Sequence, residues 1–209
     1  MLANFFKHTA GVEPVLDPVF ENVPRVPTDM RFTDLVLMSE GTHAFLYRGE
    51  GSQGDLVSAY CVKIFRHGWM TPFNLELNAY ETLLDDPAMK NYIPQIYGWG
   101  ERTLSEWGLP NNENNQDIYY GLVLEWVENA EWVSTGNITV RNAMNLIAGL
   151  SRMHELGVSH NDEFPQNMLV VPKLQRALWI DLSCARFNEP ETHPGHMEAV
   201  AGAILNKVP

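Results

Sequence analysis

Cysteine is scarce in this chain of 209 residues: only Cys61 and Cys184 occur, in no CxxC arrangement. That excludes a disulfide framework or a thiolate zinc site. Both lie in apolar, strand-like surroundings and read as buried free thiols in a reducing compartment. Basic residues are also few, 14 against 26 acids, for a formal net charge of −12. Binding to nucleic acid or to an anionic membrane needs basic surface, so neither is expected as a partner. No apolar run approaches the roughly 18 residues of a membrane span. The start, "MLANFFKHTAGVEPVLDP", is interrupted by Lys7, His8, Glu13 and Asp17 and makes a poor signal peptide. A cytoplasmic, soluble protein is expected. What is present, 45% apolar residues and six Trp, is the composition of a folded globular chain.

Residues 1–30 carry Pro14, Pro18, Pro24 and Pro27 and read as an extended arm. Three strand-like runs follow, "RFTDLVLM", "HAFLYRG" and "SAYCVKIF", parted by turns that suggest an antiparallel meander. "TPFNLELNAYETLLDD" has helical spacing of Phe73, Leu77, Tyr80 and Leu84, with Thr71 as N-cap and Pro72 at the first helical position. "IPQIYGWGE" and "IYYGLVLEWVE" give two more strands, with a polar loop between them, "LSEWGLPNNENNQD", expected to be solvated. From Val140 to Leu156, the residues Val140, Met144, Ile147, Leu150 and Met153 predict a helical stripe, closed by Gly157. "NMLVV" and "ALWID" form a hairpin around "PKLQR", and "HMEAVAGAILNKV" is a short helix. His193 and His196 read as a surface loop, since no further ligands complete a metal site. The expected class is α+β: a five-stranded antiparallel part with one helix, then a helical part.

Between helix and hairpin lies "HNDEFPQN", a polar cluster for which a fold alone has no evident use. Together with "YCVKIF", "LELNAYETLL", "LVLEWVEN" and "WIDLS", in that order, it resembles the protein kinase-like superfamily. The likeness is nearest in style to divergent kinase-like proteins of fungi and to the aminoglycoside and choline kinase branch, and spans residues 32–185. It implies a two-lobed fold, with an arm at 1–30, an N-lobe and hinge at 31–128 and an abbreviated helical C-lobe at 129–209. By this resemblance Lys63 bridges nucleotide phosphates and Glu76 fixes Lys63; Glu81, five residues along and more than 100° around the helix, is expected to face solvent. Gly41 belongs to the phosphate-covering loop. Leu124 is the gatekeeper, and the Glu125 carbonyl and Val127 amide meet adenine. Asp162 orients the attacking hydroxyl, while Asn167 and Asp181, the latter nineteen residues after Asp162, hold Mg²⁺. ATP and Mg²⁺ are the implied cofactors.

The chain departs from that pattern. Ser39 and Ala44 stand where two loop glycines are expected, and Phe164 where a cationic helper is usual. Only residues 182–209 follow Asp181, too few for a peptide-binding platform. The resemblance therefore implies a minimal ATP/Mg-dependent phosphotransferase acting on an unidentified hydroxyl acceptor. The alternative is a pseudokinase-type module that binds nucleotide or regulates a protein partner without turnover. Nucleotidyl transfer on the same fold is a third possibility.

Overall fold

The computed structural model describes residues 20–53, 56–110, 117–188 and 196–207. The first part of the arm, residues 111–116 of the polar loop and His193 lie outside them.

The sheet forms as the sequence pattern dictates. β1 (Arg31–Glu40), β2 (Ala44–Gln53) and β3 (Leu56–Phe65) make an antiparallel meander. α1 (Met70–Leu83) follows, and then β4 (Ile96–Arg102) and β5 (Tyr119–Glu125), all antiparallel, in the order β1-β2-β3-β5-β4. β6 (Glu131–Trp132) precedes α2 (Val140–Glu155), and β7 (Val158–Ser159) follows it. β8 (Met168–Val171) and β9 (Arg176–Trp179) form the expected hairpin, with β6 on its far edge. β10 (Arg186–Phe187) pairs with β7, and α3 (His196–Leu205) packs back so that Ile204 is buried. The architecture is α+β around a five-stranded antiparallel sheet. Among the described residues, no helix is long and apolar enough to cross a membrane.

One core lies between the inner sheet face, α1, α2 and the β8–β9 hairpin, joining Phe65, Phe73, Leu77, Leu122, Leu146 and Trp179. A second covers the outer face through Val62, Ile64 and Val123, with Phe32 and Trp107. Strand alternation sorts β3 residues between the two.

Four local expectations are corrected. α1 starts two residues earlier than Pro72 suggested: its N-cap is Trp69, which makes no side-chain cap bond, and Thr71 lies inside the helix. A proline third in the helix is tolerated because its missing N–H belongs to a turn whose amides have no intrahelical partner. The α2 stripe is rotated. Val140 and Met144 are 58% and 62% exposed, while Ala143, Leu146, Gly149, Leu150 and Met153 face the core. Gly149 marks that face because a Cβ there would sit 2.9 Å from the Tyr92 Cβ. Cys184 is half-buried, although Cys61 is buried as expected and both are free. Finally, the loop after β4 is not simply solvated. Trp107 is fully buried, its indole Nε1–H donating to the Tyr119 carbonyl at 3.1 Å. Its ring lies over Gly121, where a Cβ would come within 2.6 Å.

Gly157 ends α2 as anticipated, with φ of +78° and its amide on the His154 carbonyl. Thr139, which capping logic alone could have picked out, is the N-cap and accepts from the Asn142 amide.

If Trp107 holds the outer core, Trp107→Ala should cost about 3–5 kcal/mol in urea unfolding, the usual range for a buried Trp. A loss below about 1 kcal/mol would show that the loop is only draped over the sheet.

Candidate functional site

Lys63 points inward because it shares a β3 face with Cys61 and Phe65, both in the inner core. Opposite it, α1 presents Phe73, Leu77, Tyr80 and Leu83. Glu76 lies three residues after Phe73 and four before Tyr80, so helical geometry puts its carboxylate on that buried face. It is 0% exposed. Lys63 Nζ donates to Glu76 Oε2 at 2.5 Å and to Asp181 Oδ1 at 2.7 Å. One ammonium thus joins the sheet, α1 and the segment leaving β9.

Asp181 and the polar loop are brought together by hairpin register. Met168 pairs with Trp179, so the residues just outside that pair, Asn167 and Ile180, are adjacent, and the Ile180 amide donates to the Asn167 carbonyl at 3.0 Å. Asn167 is buried, and its Nδ2 donates to the Asp162 carbonyl (2.9 Å) and to Asp162 Oδ2 (2.6 Å). Asp181 adopts a left-handed backbone, φ +62°, which Asp tolerates better than most residues. Ser183 helps hold it there: its hydroxyl donates to Asp181 Oδ1 at 2.6 Å. Asn161, also left-handed, uses Nδ2 to reach the Cys184 carbonyl at 3.3 Å. His160 is fully buried against Trp179, and its Nε2–H donates to the Ile180 carbonyl at 3.0 Å. Burial lowers its pKa, which suits a neutral packing residue and not a base.

The charges are strongly coupled. Burial alone would lower the Lys63 pKa, but the two carboxylates override it and hold the ammonium above its ordinary value. For Asp181, burial pushes upward, yet the Lys63 charge and the hydrogen bonds from Lys63 and Ser183 keep it well below the usual carboxylate range. Glu76 goes the other way. Burial raises it to about 7 despite Lys63, and the nearby Asp181 charge adds to the rise. Its Oε1 has no hydrogen bond of good geometry among the described residues, although the Leu182 amide lies close enough to favour its charge.

The remaining expected positions are placed less directly. Gly41 sits in the β1–β2 turn, but its amide donates to the Ala44 carbonyl at 2.9 Å and its own carbonyl accepts from Arg66. Glu125 ends β5 beside Tyr60, and its carboxylate takes Arg176 at 2.6 and 3.0 Å. Val127 begins a turn closed by the Ala130 amide on its carbonyl. Phe164 is 57% exposed. A cleft of about 540 Å³ opens beside the cluster, between His43 of the β1–β2 turn, Pro72 and Leu75 of α1, and Asn161 with Ser183–Phe187.

Glu81 does not simply face solvent. It accepts hydrogen bonds from three successive backbone amides of the arm, those of Glu21, Asn22 and Val23. Sequence reading also passed over Arg176, Arg66 and Ser183. Only Ser183 carried a local signal, since a serine two residues after an aspartate readily bonds back to its carboxylate.

Against one ammonium the cluster sets Glu76, Asp181 and, through Asn167, Asp162. That excess of negative charge, with hard oxygen donors on Asp181 and Asn167, fits a divalent cation such as Mg²⁺, which takes few protein oxygens. No group of three or more His, Cys, Asp or Glu side chains capable of holding a metal unaided occurs among the described residues. No family model and no curated protein matches the chain.

The Glu76 carboxyl holds its proton more tightly in the folded protein than in the unfolded chain. The stability it contributes is therefore fullest below its ordinary value of 4.5 and is lost as pH rises through about 7. Asp181 acts oppositely, stabilising above its ordinary value of 3.8 and losing that contribution on acidification. Glu76→Gln should thus gain on the parent protein by at least about 1 kcal/mol between pH 5 and pH 7.5, since one pKa unit is worth roughly 1.4 kcal/mol. Urea unfolding at the two pH values measures it, and an unchanged difference would show that Glu76 is ionised throughout.

Proposed function

We propose that this chain is a Mg·ATP-dependent phosphotransferase of the protein kinase-like superfamily, acting on a hydroxyl acceptor. One observation carries the reading: Lys63 Nζ is bonded at once to Glu76 and to Asp181, although the three residues come from β3, α1 and the segment leaving β9. Burying the Lys63–Glu76 pair costs desolvation that apolar residues of similar size would avoid, so its presence supports a functional demand on that position. The strand order β1-β2-β3-β5-β4, with α1 inserted between β3 and β4, supports a kinase-like N-lobe.

Bound Mg·ATP supplies the phosphoryl group and the divalent charge that offsets it. The chain's residues do the rest. Glu76 holds the Lys63 ammonium where it would bind phosphate oxygens, and Asp181 Oδ and Asn167 Oδ1 would hold the cation. The Asp162 carboxylate orients the acceptor hydroxyl and takes its proton. The acceptor oxygen forms a bond to the γ-phosphorus as the bond to the β,γ-bridging oxygen breaks, and ADP leaves.

A second reading, a nucleotide-binding module without turnover, is favoured by two observations. The Gly41 amide is spent on Ala44, and an exposed phenylalanine stands where a cation would assist transfer. Calorimetry and product analysis separate the readings. The phosphotransferase binds Mg·ATP and forms ADP, with the Mg²⁺ requirement raised at least tenfold in Asp181→Asn. Asp162→Asn should lower turnover about 10²- to 10⁴-fold, the usual worth of a positioned acid–base group, while leaving nucleotide affinity within a few-fold. Binding without any ADP would favour the second reading, AMP transferred to product would indicate nucleotidyl transfer, and no binding would reject all three.

A further inference from the structure

Glu76 and Glu81 lie on the same helix, five residues and about 140° apart. Glu76 reaches inward to β3. Glu81 reaches outward, and its two oxygens gather the amides of Glu21 (2.7 Å), Asn22 (2.6 Å) and Val23 (2.8 Å). The Asn22 side chain adds a bond to Asp85 at 3.0 Å. Glu81, Asp85 and Asp86 crowd the C-terminal end of α1, where the helix dipole disfavours negative charge. Such an end is comfortable only with donors brought to it, and the arm brings backbone amides while Arg152 serves Asp86.

The arm is itself anchored, so these bonds transmit position. Val23 is buried in the inner core. Beyond it the arm runs along β4: the Trp99 amide donates to the Pro24 carbonyl (3.0 Å), and the Val26 amide donates to the Trp99 carbonyl (2.7 Å). Arg25 lies over the Trp99 ring and pairs with Glu101. The approach is close enough that a Cβ on Gly98 would stand 2.8 Å from the Pro24 carbonyl oxygen. α1 is therefore held from both sides, by Lys63 within and by a strap fastened to the sheet edge without.

We infer that Glu81 is a positioning residue, clamping the arm to α1 and so setting the helix position at which Glu76 meets Lys63. The clamp makes the Lys63–Glu76 pair, and nucleotide affinity with it, depend on the arm being seated. Its meaning for catalysis rests on the phosphotransferase reading, whereas its mechanical part does not.

Cys61 reports that mechanical part, because it is buried on the Lys63 face of β3, beside Lys63 and Glu76. Iodoacetamide labelling, resolved by peptide mass spectrometry, follows Cys61 with the half-buried Cys184 as internal reference. Glu81→Ala should label Cys61 at least ten times faster than the parent protein, with Cys184 changing less than twofold. Glu81→Gln, which keeps one acceptor oxygen, should label at an intermediate rate and serves alone if Glu81→Ala does not fold. Trp107→Phe, which loosens the opposite sheet face, controls for lost global stability and should leave Cys61 protected. Labelling of the Glu81 variants at the parent rate, or no faster than Trp107→Phe, overturns the clamp. In the same proteins the Mg·ATP dissociation constant should rise at least fivefold in Glu81→Ala. An unchanged constant alongside fast labelling would overturn the coupling to the nucleotide. Failure of the parent protein to bind Mg·ATP would reject the phosphotransferase reading, while the labelling result still judges the clamp.

Discussion

A single ammonium, that of Lys63, sits where three separately built pieces of the chain meet. The strand beneath it is oriented by alternation, the helix beside it by a 3.6-residue period, and Asp181 by the register of the β8–β9 hairpin. Two carboxylates share that one positive charge. The result is an uneven division: Asp181 is held firmly ionised, whereas the fully buried Glu76 is pushed toward neutrality. Lys63 and Glu76 are buried while the Asp181 side chain is 41% exposed. Removing either member of the buried pair therefore leaves the other uncompensated, which typically costs about 3–5 kcal/mol, and removing Asp181 costs less. The fold around the cluster is thus committed to keeping all three in place.

That commitment explains features away from the cluster. Ser183 and the left-handed backbone at Asp181 aim its carboxylate back toward β3. Asn167 fixes Asp162 through both its carbonyl and its carboxylate, so the loop preceding β8 behaves as one unit with the hairpin. Elsewhere, Arg176 reaches from β9 to Glu125 at the end of β5 and to the Lys90 carbonyl. The half-buried pair ties the hairpin to the sheet behind the turn at Val127–Ala130. The arm and Glu81 complete the frame on the outer side of α1.

Trp99 and Trp107 show how the sheet is sealed. Trp99 packs against Phe73 of α1 and Phe20 of the arm while lending its backbone to Pro24 and Val26. That covers the unpaired edge of β4, which would otherwise be open to pairing with another chain. Trp107 fills the outer face over glycines of β4 and β5, with Arg102 beside it donating to the Met30 and Pro27 carbonyls. A tryptophan in a polar loop offered no period to read, and its burial depends on glycines 7 and 14 positions away in the chain, Gly100 and Gly121.

Apart from the two-residue strands β6, β7 and β10, the letters alone determined the order of elements, the meander, the helix between third and fourth strands, and the hairpin that separates Asp162 from Asp181. All of these rest on short-range periods and turn chemistry, which act within a few residues. A resemblance of motifs, and not periodicity, marked Lys63, Glu76, Asp162, Asn167 and Asp181 as a set. Tertiary structure decided the partners: that Lys63 takes two carboxylates, that Glu81 takes amides some sixty residues earlier in the chain, and that Glu125 takes Arg176. It also turned α2 so that small residues, Ala143 and Gly149, face the core while Val140 and Met144 do not. Periodicity reveals which residues share a face. What lies opposite that face is set by the packing of distant segments, and no local rule contains it.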